Sequence, residues 1–516
     1  MKKIIFAAAG LLIACNSSQK TVSEPTSTKK IAVSPSIYAE TITEAELKTH
    51  LYIYASDDYE GRETGQPGQK KAVAYLQSQY EKLGLPAAKT DGDYFQKVPL
   101  EVANLPTGTI TINEKSYQQG TDFVSFDASD IASSELIYVG YGIEDDAYSD
   151  YENIDVTDKM VLIKDGEPKN EDGTYLISGN SEPSKWSSNA MDKIGIPLEK
   201  GAKGVLMYSP SLFPRVVAYY NRMLGSSSGN MSIKSDEPNK FSAIINAEMA
   251  NSLFPAIETE QKGLSTSIAF KAALEGSSET IDSENVVALL KGSEKPDEYL
   301  VISSHLDHIG VNANGEINNG ADDDGSGTVA LLEIAQAFKN AADAGNGPKR
   351  SIVFLHVTGE EKGLLGSQYY TDVDPVVPLA NTVANLNIDM IGRIDPEREG
   401  ERNYIYLIGS DKLSTDLHQL SEDVNTKYTN IELDYTYNDE NDPNRFYYRS
   451  DHYNFAKNNI PIIFYFNGTH KDYHRPGDTP DKINYDLLQN RSRLIFHTAW
   501  EVANRDQRVI VDKVSK

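Results

Sequence analysis

Histidine and carboxylate residues that could do chemistry are concentrated in the second half of this 516-residue chain, where eight of the nine histidines lie. They occur in five short motifs: HLDH from residue 305, GADDDGSG from 320, GEEKGLLGS from 359, NIDMIGR from 387 and YHRPGDT from 473. Imidazole nitrogen and carboxylate oxygen, without thiolate, suit zinc or a similar divalent ion at a catalytic site. The residue types therefore predict a metal-dependent reaction.

The number of candidate ligands favours two ions over one. Two histidines and three carboxylates exceed the ligand set of one catalytic zinc, whereas two ions ~3.5–4 Å apart can share a bridging carboxylate. Water between such ions has its pKa lowered to about 7. One member of the pair Glu360 and Glu361 is then free to act as general base, and residue type alone does not decide which. Asp307, two residues after His305, is expected to accept the other ring N–H of that histidine.

The motifs follow apolar stretches that must position them. Strands are predicted over residues 300–304, 352–357, 383–388 and 460–466, and helices over 45–54, 69–83, 328–340 and 485–504. Near-continuous apolar strands that alternate with helices indicate an α/β fold with a mixed, mostly parallel sheet covered by helices on both faces. Such sheets bind ligands at the carboxyl ends of their strands, where distant motifs can converge.

The order of the five motifs resembles that of the two-zinc aminopeptidase family, which includes bacterial leucyl aminopeptidases and glutamate carboxypeptidase. The resemblance implies a zinc-exopeptidase fold with two Zn²⁺ ions, other divalent metals being possible. It assigns His305 and Asp389 to one zinc and Glu361 and His474 to the other, with Asp323 as the bridging carboxylate. These five positions match the family pattern, which argues against a relative that has lost its metals.

The same resemblance assigns the catalytic groups and the activity. It implies that Glu360 is the general base, that Asp307 lies behind His305, and that the hydroxyl of Tyr473 steadies the tetrahedral intermediate. The expected function is a zinc metallopeptidase, foremost an aminopeptidase that acts on peptide substrates. The alternatives are a carboxypeptidase, another two-zinc amide hydrolase or a catalytically silent binding protein. A carboxypeptidase would need a cation for the substrate carboxylate, and Arg393, Arg445 and Arg449 are the candidates.

The region between residues 126 and 280 differs from the rest of the chain in its hydrophobic pattern. Short apolar runs separated by polar turns, without histidine, predict an inserted and mostly β module, and VGYGI and GAKGVLMY resemble the protease-associated domain. The predicted division is a signal peptide over 1–15, a flexible tether over 16–40, the N-terminal part of the peptidase domain over 41–125, the inserted domain over 126–280 and the metal-binding part over 281–516.

The N-terminus carries the signs of an exported lipoprotein. After Lys2 and Lys3 the chain is apolar from residue 4 to 14, which is shorter than the ~20 residues that span a bilayer. Leu-Ile-Ala-Cys, ending at Cys15, resembles a bacterial lipobox. We therefore expect an extracytoplasmic protein held to a bacterial membrane, on the periplasmic or outer-membrane side, only through a lipid on Cys15.

Composition excludes several classes. Lysine and arginine total 49 against 76 acidic residues, a net charge of −27, so a nucleic-acid partner is not expected. A mean hydropathy of −0.46 argues against a polytopic membrane protein, and one cysteine excludes a disulfide framework.

Four features have simpler interpretations. Residues 225–229 match the G-x-S-x-G pattern of serine hydrolases, but no apolar strand leads into them. We expect Ser450 to cap the helix that follows it and His308 to be a loop or substrate neighbour. A second two-zinc exopeptidase and deacylase family inserts a dimerisation domain before the last histidine, and the segment between Asp389 and His474 is too short for one.

Overall fold

The computed structural model describes residues 34–187, 189–224, 230–235, 240–255, 257, 264–398 and 400–513. The predicted signal peptide with Cys15, most of the tether and the G-x-S-x-G segment lie outside these residues. Within the described part of the chain, no helix is long and apolar enough to cross a membrane.

Nineteen strands occur among the described residues. They are β1 (Phe95–Ala103), β2 (Thr107–Ile112), β3 (Lys115–Gln118), β4 (Phe123–Val124), β5 (Ser129–Gly140), β6 (Glu144–Asp145), β7 (Tyr148–Ser149), β8 (Met160–Lys164), β9 (Gly204–Tyr208), β10 (Asn230–Ile233), β11 (Phe241–Ile245), β12 (Leu264–Glu275), β13 (Ser278–Leu290), β14 (Lys295–His305), β15 (Arg350–Val357), β16 (Thr382–Ile388), β17 (Tyr404–Ile408), β18 (Glu432–Asp434) and β19 (Ile462–Phe466).

Eleven α-helices are found in the same described ranges. They are α1 (Ser36–Ala39), α2 (Glu44–Tyr54), α3 (Pro67–Leu83), α4 (Ala190–Glu199), α5 (Phe213–Leu224), α6 (Ala247–Leu253), α7 (Gly327–Asp343), α8 (Leu365–Gln368), α9 (Thr415–Tyr428), α10 (His452–Ala456) and α11 (Tyr485–Asn504). Helix α3 has proline at its start and ends at Gly84, whose φ of 69° lies in the left-handed region that glycine adopts without strain.

The large sheet has nine strands in the described chain, in the order β10-β1-β13-β15-β14-β16-β19-β17-β18. Its four central strands, β15, β14, β16 and β19, run parallel, whereas β13 and β17 join them in antiparallel pairing. The sheet is therefore mixed with a parallel centre. The four parallel strands therefore have their carboxyl ends at one edge of the sheet.

Helices cover both faces of the large sheet, as alternation along β14 demonstrates. Leu300 and Ile302 belong to the core on the side of α2, α7 and α11. Val301 points to the opposite core, where it packs with Phe455 of α10 and with Tyr370. All five side chains are fully buried. The expected α/β fold with helices on both faces is confirmed.

A second sheet of eight strands in the described residues has its own core. Its order is β3-β2-β12-β5-β8-β9-β11-β4, with β5, β8, β9 and β11 parallel. Helix α6 packs on one side through Met249 and Leu253, and α4 on the other through Ile194. Strands β2 to β4 precede residue 126, so the predicted domain boundary separates them from the sheet that they join. The assignment of this region to a protease-associated domain stays a prediction.

Candidate metal centre

Four adjacent parallel strands of the large sheet each deliver a motif to the same edge. His305 is the last residue of β14, and Asp389 directly follows β16. Glu360 and Glu361 lie three and four residues beyond β15, while His474 lies in the loop after β19. Because these strands are neighbours in the sheet, residues up to 169 positions apart in sequence, from His305 to His474, meet at one point.

The three consecutive aspartates before α7 have different surroundings. Asp324 accepts hydrogen bonds from the main-chain N–H groups of His305 at 3.1 Å, Gly327 at 2.9 Å and Met390 at 3.1 Å. These bonds occupy both of its carboxylate oxygens, so Asp324 fixes the backbone around the site. Asp322 in turn accepts the N–H of Gly392 at 2.7 Å, together with bonds to groups of the loop after β19.

Asp323 is the aspartate whose two oxygens face two histidines. Its Oδ1 lies 3.2 Å from His305 Nε2, and its Oδ2 lies 3.0 Å from His474 Nε2. On the first side, Asp389 Oδ1 is 3.6 Å from His305 Nε2. On the second, Glu361 Oε2 is 3.1 Å from His474 Nε2. The five predicted ligands thus form two clusters that share Asp323, with spacings that fit two small cations.

Three polar atoms in this site are buried without a hydrogen bond among the described residues. They are Nε2 of His305, Nε2 of His308 and Oδ2 of Asp323. Buried polar groups are ordinarily satisfied, so such atoms at converging imidazoles and carboxylates call for a partner from outside the chain. The donor set, nitrogen and oxygen without sulfur, fits zinc.

The titration behaviour of the site leads to the same conclusion. Although burial disfavours the charged form of His474, the carboxylates of Asp323 and Glu361 raise its pKa to about 10. Burial and repulsion from Asp323 oppose ionisation of Glu361, yet its hydrogen bonds to His308 and His474 lower its pKa to about 2. Positive charge beside the Glu361 carboxylate therefore keeps it ionised in spite of burial, and divalent cations supply such charge more strongly than protons.

Glu360 and Asp307 are linked through the backbone. The main-chain N–H of Glu360 donates to Asp307 Oδ1 at 3.2 Å, and burial raises the pKa of the Glu360 carboxyl well above its ordinary value. The expected contact between Asp307 and His305 differs in detail. The main-chain carbonyl of Asp307 lies 3.1 Å from His305 Nδ1, whereas the carboxylate lies 4.0 Å away. The carbonyl, in place of the carboxylate, is thus the group positioned to fix the tautomer.

Two residues have a larger part in the site than their sequence context indicates. His308, expected to be a loop or substrate neighbour, is fully buried and contacts a predicted ligand directly, with its Nδ1 2.7 Å from Glu361 Oε1. Ser450 does not cap α10, because Asp451 occupies the cap position without a side-chain bond. Instead, the Ser450 hydroxyl donates to Asp389 Oδ2 at 2.7 Å. The indication in the sequence for these two roles was that His308 belongs to the HLDH motif and that Ser450 directly precedes an Asp-His pair.

A cleft opens over the two clusters, with apolar and charged walls. Its lining residues are Asp323, Glu360, Asp389, Met390, Phe446, Arg449, Ser450, Phe464, Phe466, Thr469, Tyr473 and His474. The ring of Tyr473 stacks on His474 at 3.9 Å between centroids, and its hydroxyl accepts a bond from Arg449 at 3.4 Å. Tyr473 is therefore placed beside the predicted ligands, as the resemblance implied.

Of the three candidate arginines, one faces this cleft. Arg393 is 3.1 Å from Asp472 and 3.7 Å from Asp478, so it is engaged in a buried ion-pair network. Arg445 lies over the ring of Tyr448 and lines a separate groove. Arg449 lines the cleft itself and rests on Phe446.

Comparison with known proteins places the site within a recognised class. Residues 285–499, which contain the five ligand positions, match the model of Peptidase family M28. The match supports the resemblance of this part of the chain to a peptidase family. The matched region begins within β13 and ends within α11, and it leaves out the second sheet and the N-terminal helices.

Curated relatives and solved structures extend the comparison. A probable leucine aminopeptidase 2 of Aspergillus oryzae is 26% identical over 333 residues, which is 59% of this chain and 60% of that protein. A probable glutamate carboxypeptidase LAMP1 of Arabidopsis thaliana is 34% identical over 106 residues, 20% of this chain and 14% of its own length. An aminopeptidase from Aneurinibacillus sp. strain AM-1 is 18% identical, covering 93% of this chain and 98% of that structure with a TM-score of 0.47. The chain thus spans less than two thirds of the curated relatives named here.

Proposed function

We propose that this protein is a two-zinc aminopeptidase that removes N-terminal residues from peptides. The observation that carries the proposal is Asp323, whose two oxygens lie 3.2 Å from His305 Nε2 and 3.0 Å from His474 Nε2. The M28 match supports a peptidase, and the similarity to a probable leucine aminopeptidase supports this polarity.

We assign His305 and Asp389 to one ion, Glu361 and His474 to the other, and Asp323 to both. When bound there, zinc would polarise the scissile carbonyl and lower the pKa of water. The hydroxyl of Ser450 orients Asp389, and His308 holds Glu361 by the contact at its other oxygen. Such contacts behind a ligand fix its direction.

Glu360 performs the proton transfers in this mechanism. It lines the cleft beside Asp323 and Asp389, and burial raises its pKa well above the ordinary value of a glutamate, which makes its carboxylate a stronger base. It accepts a proton from the attacking water and then donates that proton to the nitrogen of the leaving amine. The Tyr473 hydroxyl, which also lines the cleft, donates a hydrogen bond to the oxyanion that forms at the scissile carbon.

A carboxypeptidase is the second candidate, and Arg449 is the observation in its favour. Its side chain is exposed, lines the cleft and forms no salt bridge with an acidic side chain of the described residues within 4.0 Å. A guanidinium in this position can receive the α-carboxylate of a peptide. The two candidates require opposite ends of the substrate, so they can be separated by blocking one end at a time.

The deciding experiment digests one peptide in three forms: free, N-acetylated and C-terminally amidated. We expect the free and amidated forms to be shortened from the N-terminus and the N-acetylated form to remain intact, by mass spectrometry. A chelator should abolish the reaction and added zinc should restore it. Shortening of the N-acetylated peptide from its other end would establish the carboxypeptidase instead. Turnover that survives the chelator would exclude a metallopeptidase, and no turnover with zinc would leave a binding protein.

We further propose that the protein is attached to a bacterial membrane by a lipid on Cys15 and that the second sheet is a protease-associated domain. The Leu-Ile-Ala-Cys sequence supports the first and the VGYGI and GAKGVLMY segments support the second. Partition of the wild type into detergent, and of Cys15→Ser into the aqueous phase, tests the anchor.

A further inference from the structure

The chain between Tyr54 and Gln69 lies outside the M28 match, yet it contacts the metal-site motifs at several points. The Tyr54 hydroxyl donates to the carbonyl of Leu306 at 2.9 Å. The amide of Gln69 donates to the Thr358 hydroxyl at 2.5 Å, two residues before Glu360. Residues 54–69 pass across the ends of β14 and β15, and we call this segment the N-terminal strap.

The centre of the strap is fixed by a buried arginine. Arg62 is 1% exposed, lies over the ring of Tyr54 at 4.7 Å and donates to the carbonyls of Asn319 at 2.6 Å and Gly320 at 2.9 Å. Its own carbonyl accepts the main-chain N–H of His308 at 3.2 Å. The backbone of the strap is therefore held between the HLDH motif and the turn that carries the aspartates.

Thr64 contacts the side chain of the predicted catalytic residue Asp307. It is 1% exposed, and its hydroxyl donates to Asp307 Oδ2 at 2.8 Å. The other oxygen of Asp307 accepts the main-chain N–H of Glu360 at 3.2 Å. The Asp307 carboxylate is thus bonded at one end to the strap and at the other to the backbone of the general base.

We propose that Thr64 is a positioning residue of the active site, which acts on Glu360 through Asp307. This inference rests on the proposed function. The hydroxyl fixes the rotation of the Asp307 carboxylate, and that carboxylate fixes the peptide group from which the Glu360 side chain extends. Without the hydroxyl, a fully buried carboxylate oxygen loses the hydrogen bond that orients it. Small displacements of a catalytic group lower kcat more than they change substrate binding.

The test compares Thr64→Val, which replaces the hydroxyl by a methyl group of similar size, with Thr64→Ser, which keeps it. We expect Thr64→Val to lower kcat about tenfold, at the lower end of the range for contacts behind a site, with KM and zinc content unchanged. Thr64→Ser should stay within about twofold of the wild type. Thr498→Val is the matched control, because Thr498 is also buried and donates to a carbonyl, that of Leu494 within α11.

Each other outcome overturns the proposal. Wild-type kcat in Thr64→Val would show that the hydroxyl does not act on Glu360. An equal fall in Thr498→Val, or in Thr64→Ser, would indicate a general packing defect. If Thr64→Val does not fold, Thr64→Ala removes the hydroxyl without adding a branched methyl, and the same comparison applies. An inactive Glu360→Gln enzyme beside a fully active Thr64→Val enzyme refutes this inference alone, whereas an active Glu360→Gln enzyme refutes the proposed function.

Discussion

The two sheets of this protein both bury charged groups, but they satisfy them differently. In the second-sheet region, Glu167 is 4% exposed and accepts bonds from the N–H of Ser184 at 2.7 Å, its hydroxyl at 2.7 Å and the hydroxyl of Ser187 at 2.5 Å. Lys193, fully buried, donates to the carbonyl of Gly166 at 2.5 Å. These charges have partners within the chain itself.

At the edge of the large sheet, by contrast, the buried charges converge without sufficient partners. Asp323 lies against two imidazoles, and its Oδ2 and the Nε2 atoms of His305 and His308 lack hydrogen bonds within the described part of the chain. A buried charge that is fully bonded stabilises one packing of the fold, whereas an incompletely bonded cluster is poised for an external ligand. A buried charged group therefore indicates a functional site when it also lacks hydrogen-bond partners within the described part of the chain.

Glu360→Gln is the change expected to have the largest effect at the large-sheet edge. An amide cannot accept the proton of the attacking water, so kcat should fall about 10²- to 10⁴-fold while both zinc ions remain bound. Steady-state kinetics with an unblocked peptide and elemental analysis for zinc measure the two quantities. Glu333→Gln is the matched control, since Glu333 is 1% exposed but lies in α7 beside His50. Retained activity in Glu360→Gln would remove the general base from the mechanism.

Glu167→Ala should produce the opposite result in the second-sheet region. The substitution leaves the partly buried donors of Ser184 and Ser187 without their acceptor, so the free energy of unfolding should fall by about 2 kcal/mol. The kcat of the folded enzyme should not change, because Glu167 belongs to the second-sheet region. Urea denaturation and kinetics below the transition measure both effects. The exposed Glu171→Ala is the control, and a loss of kcat in Glu167→Ala would show that the two regions are coupled.

Local patterns explain which parts of the fold could be predicted. The helix predicted over 485–504 is observed as Tyr485–Asn504, and the strand predicted over 352–357 is observed as Arg350–Val357. Apolar periodicity and end signals lie within each segment, so sequence alone carries them. Strands β2 to β4, which precede the predicted boundary at residue 126, pair into the second sheet through β12 and β11, more than a hundred residues later, and no local pattern indicates such a pairing.

The sequence predicts candidate site residues whose role depends on residue type and motif order. It does not predict residues whose role depends on a contact formed between distant parts of the chain. His305 and Asp389 could be predicted as candidate ligands because each follows an apolar strand, and Asp323 was added to them through the family resemblance of its motif. The hydroxyl of Thr64 is 243 residues from its partner Asp307 in sequence. Nothing in the sequence distinguishes a serine or threonine that hydrogen-bonds to a site residue from one that caps a helix or lies on the surface. The folded structure is therefore needed to identify the Thr64 contact.

Ser450→Ala should give the smallest of these effects. The Ser450 hydroxyl also accepts a bond from Asn387 at 2.9 Å, so it joins Asp389 to the strand that precedes it. Its removal frees one oxygen of Asp389 to rotate, and zinc affinity on the side of His305 should fall about tenfold, with a similar loss of activity at limiting zinc. Competition with a chelator of known affinity measures this loss.

The matched change for Ser450 is Ser492→Ala, which also removes a fully buried hydroxyl, one bonded within α11 to the carbonyl of Leu488. Saturating zinc should restore Ser450→Ala toward wild-type activity, since the general base is untouched. It should not restore Glu360→Gln. Equal zinc affinity in Ser450→Ala and the wild type would show that the backbone alone holds Asp389. The difference between the two regions would then concern the predicted ligands themselves and not the residues that hydrogen-bond to them.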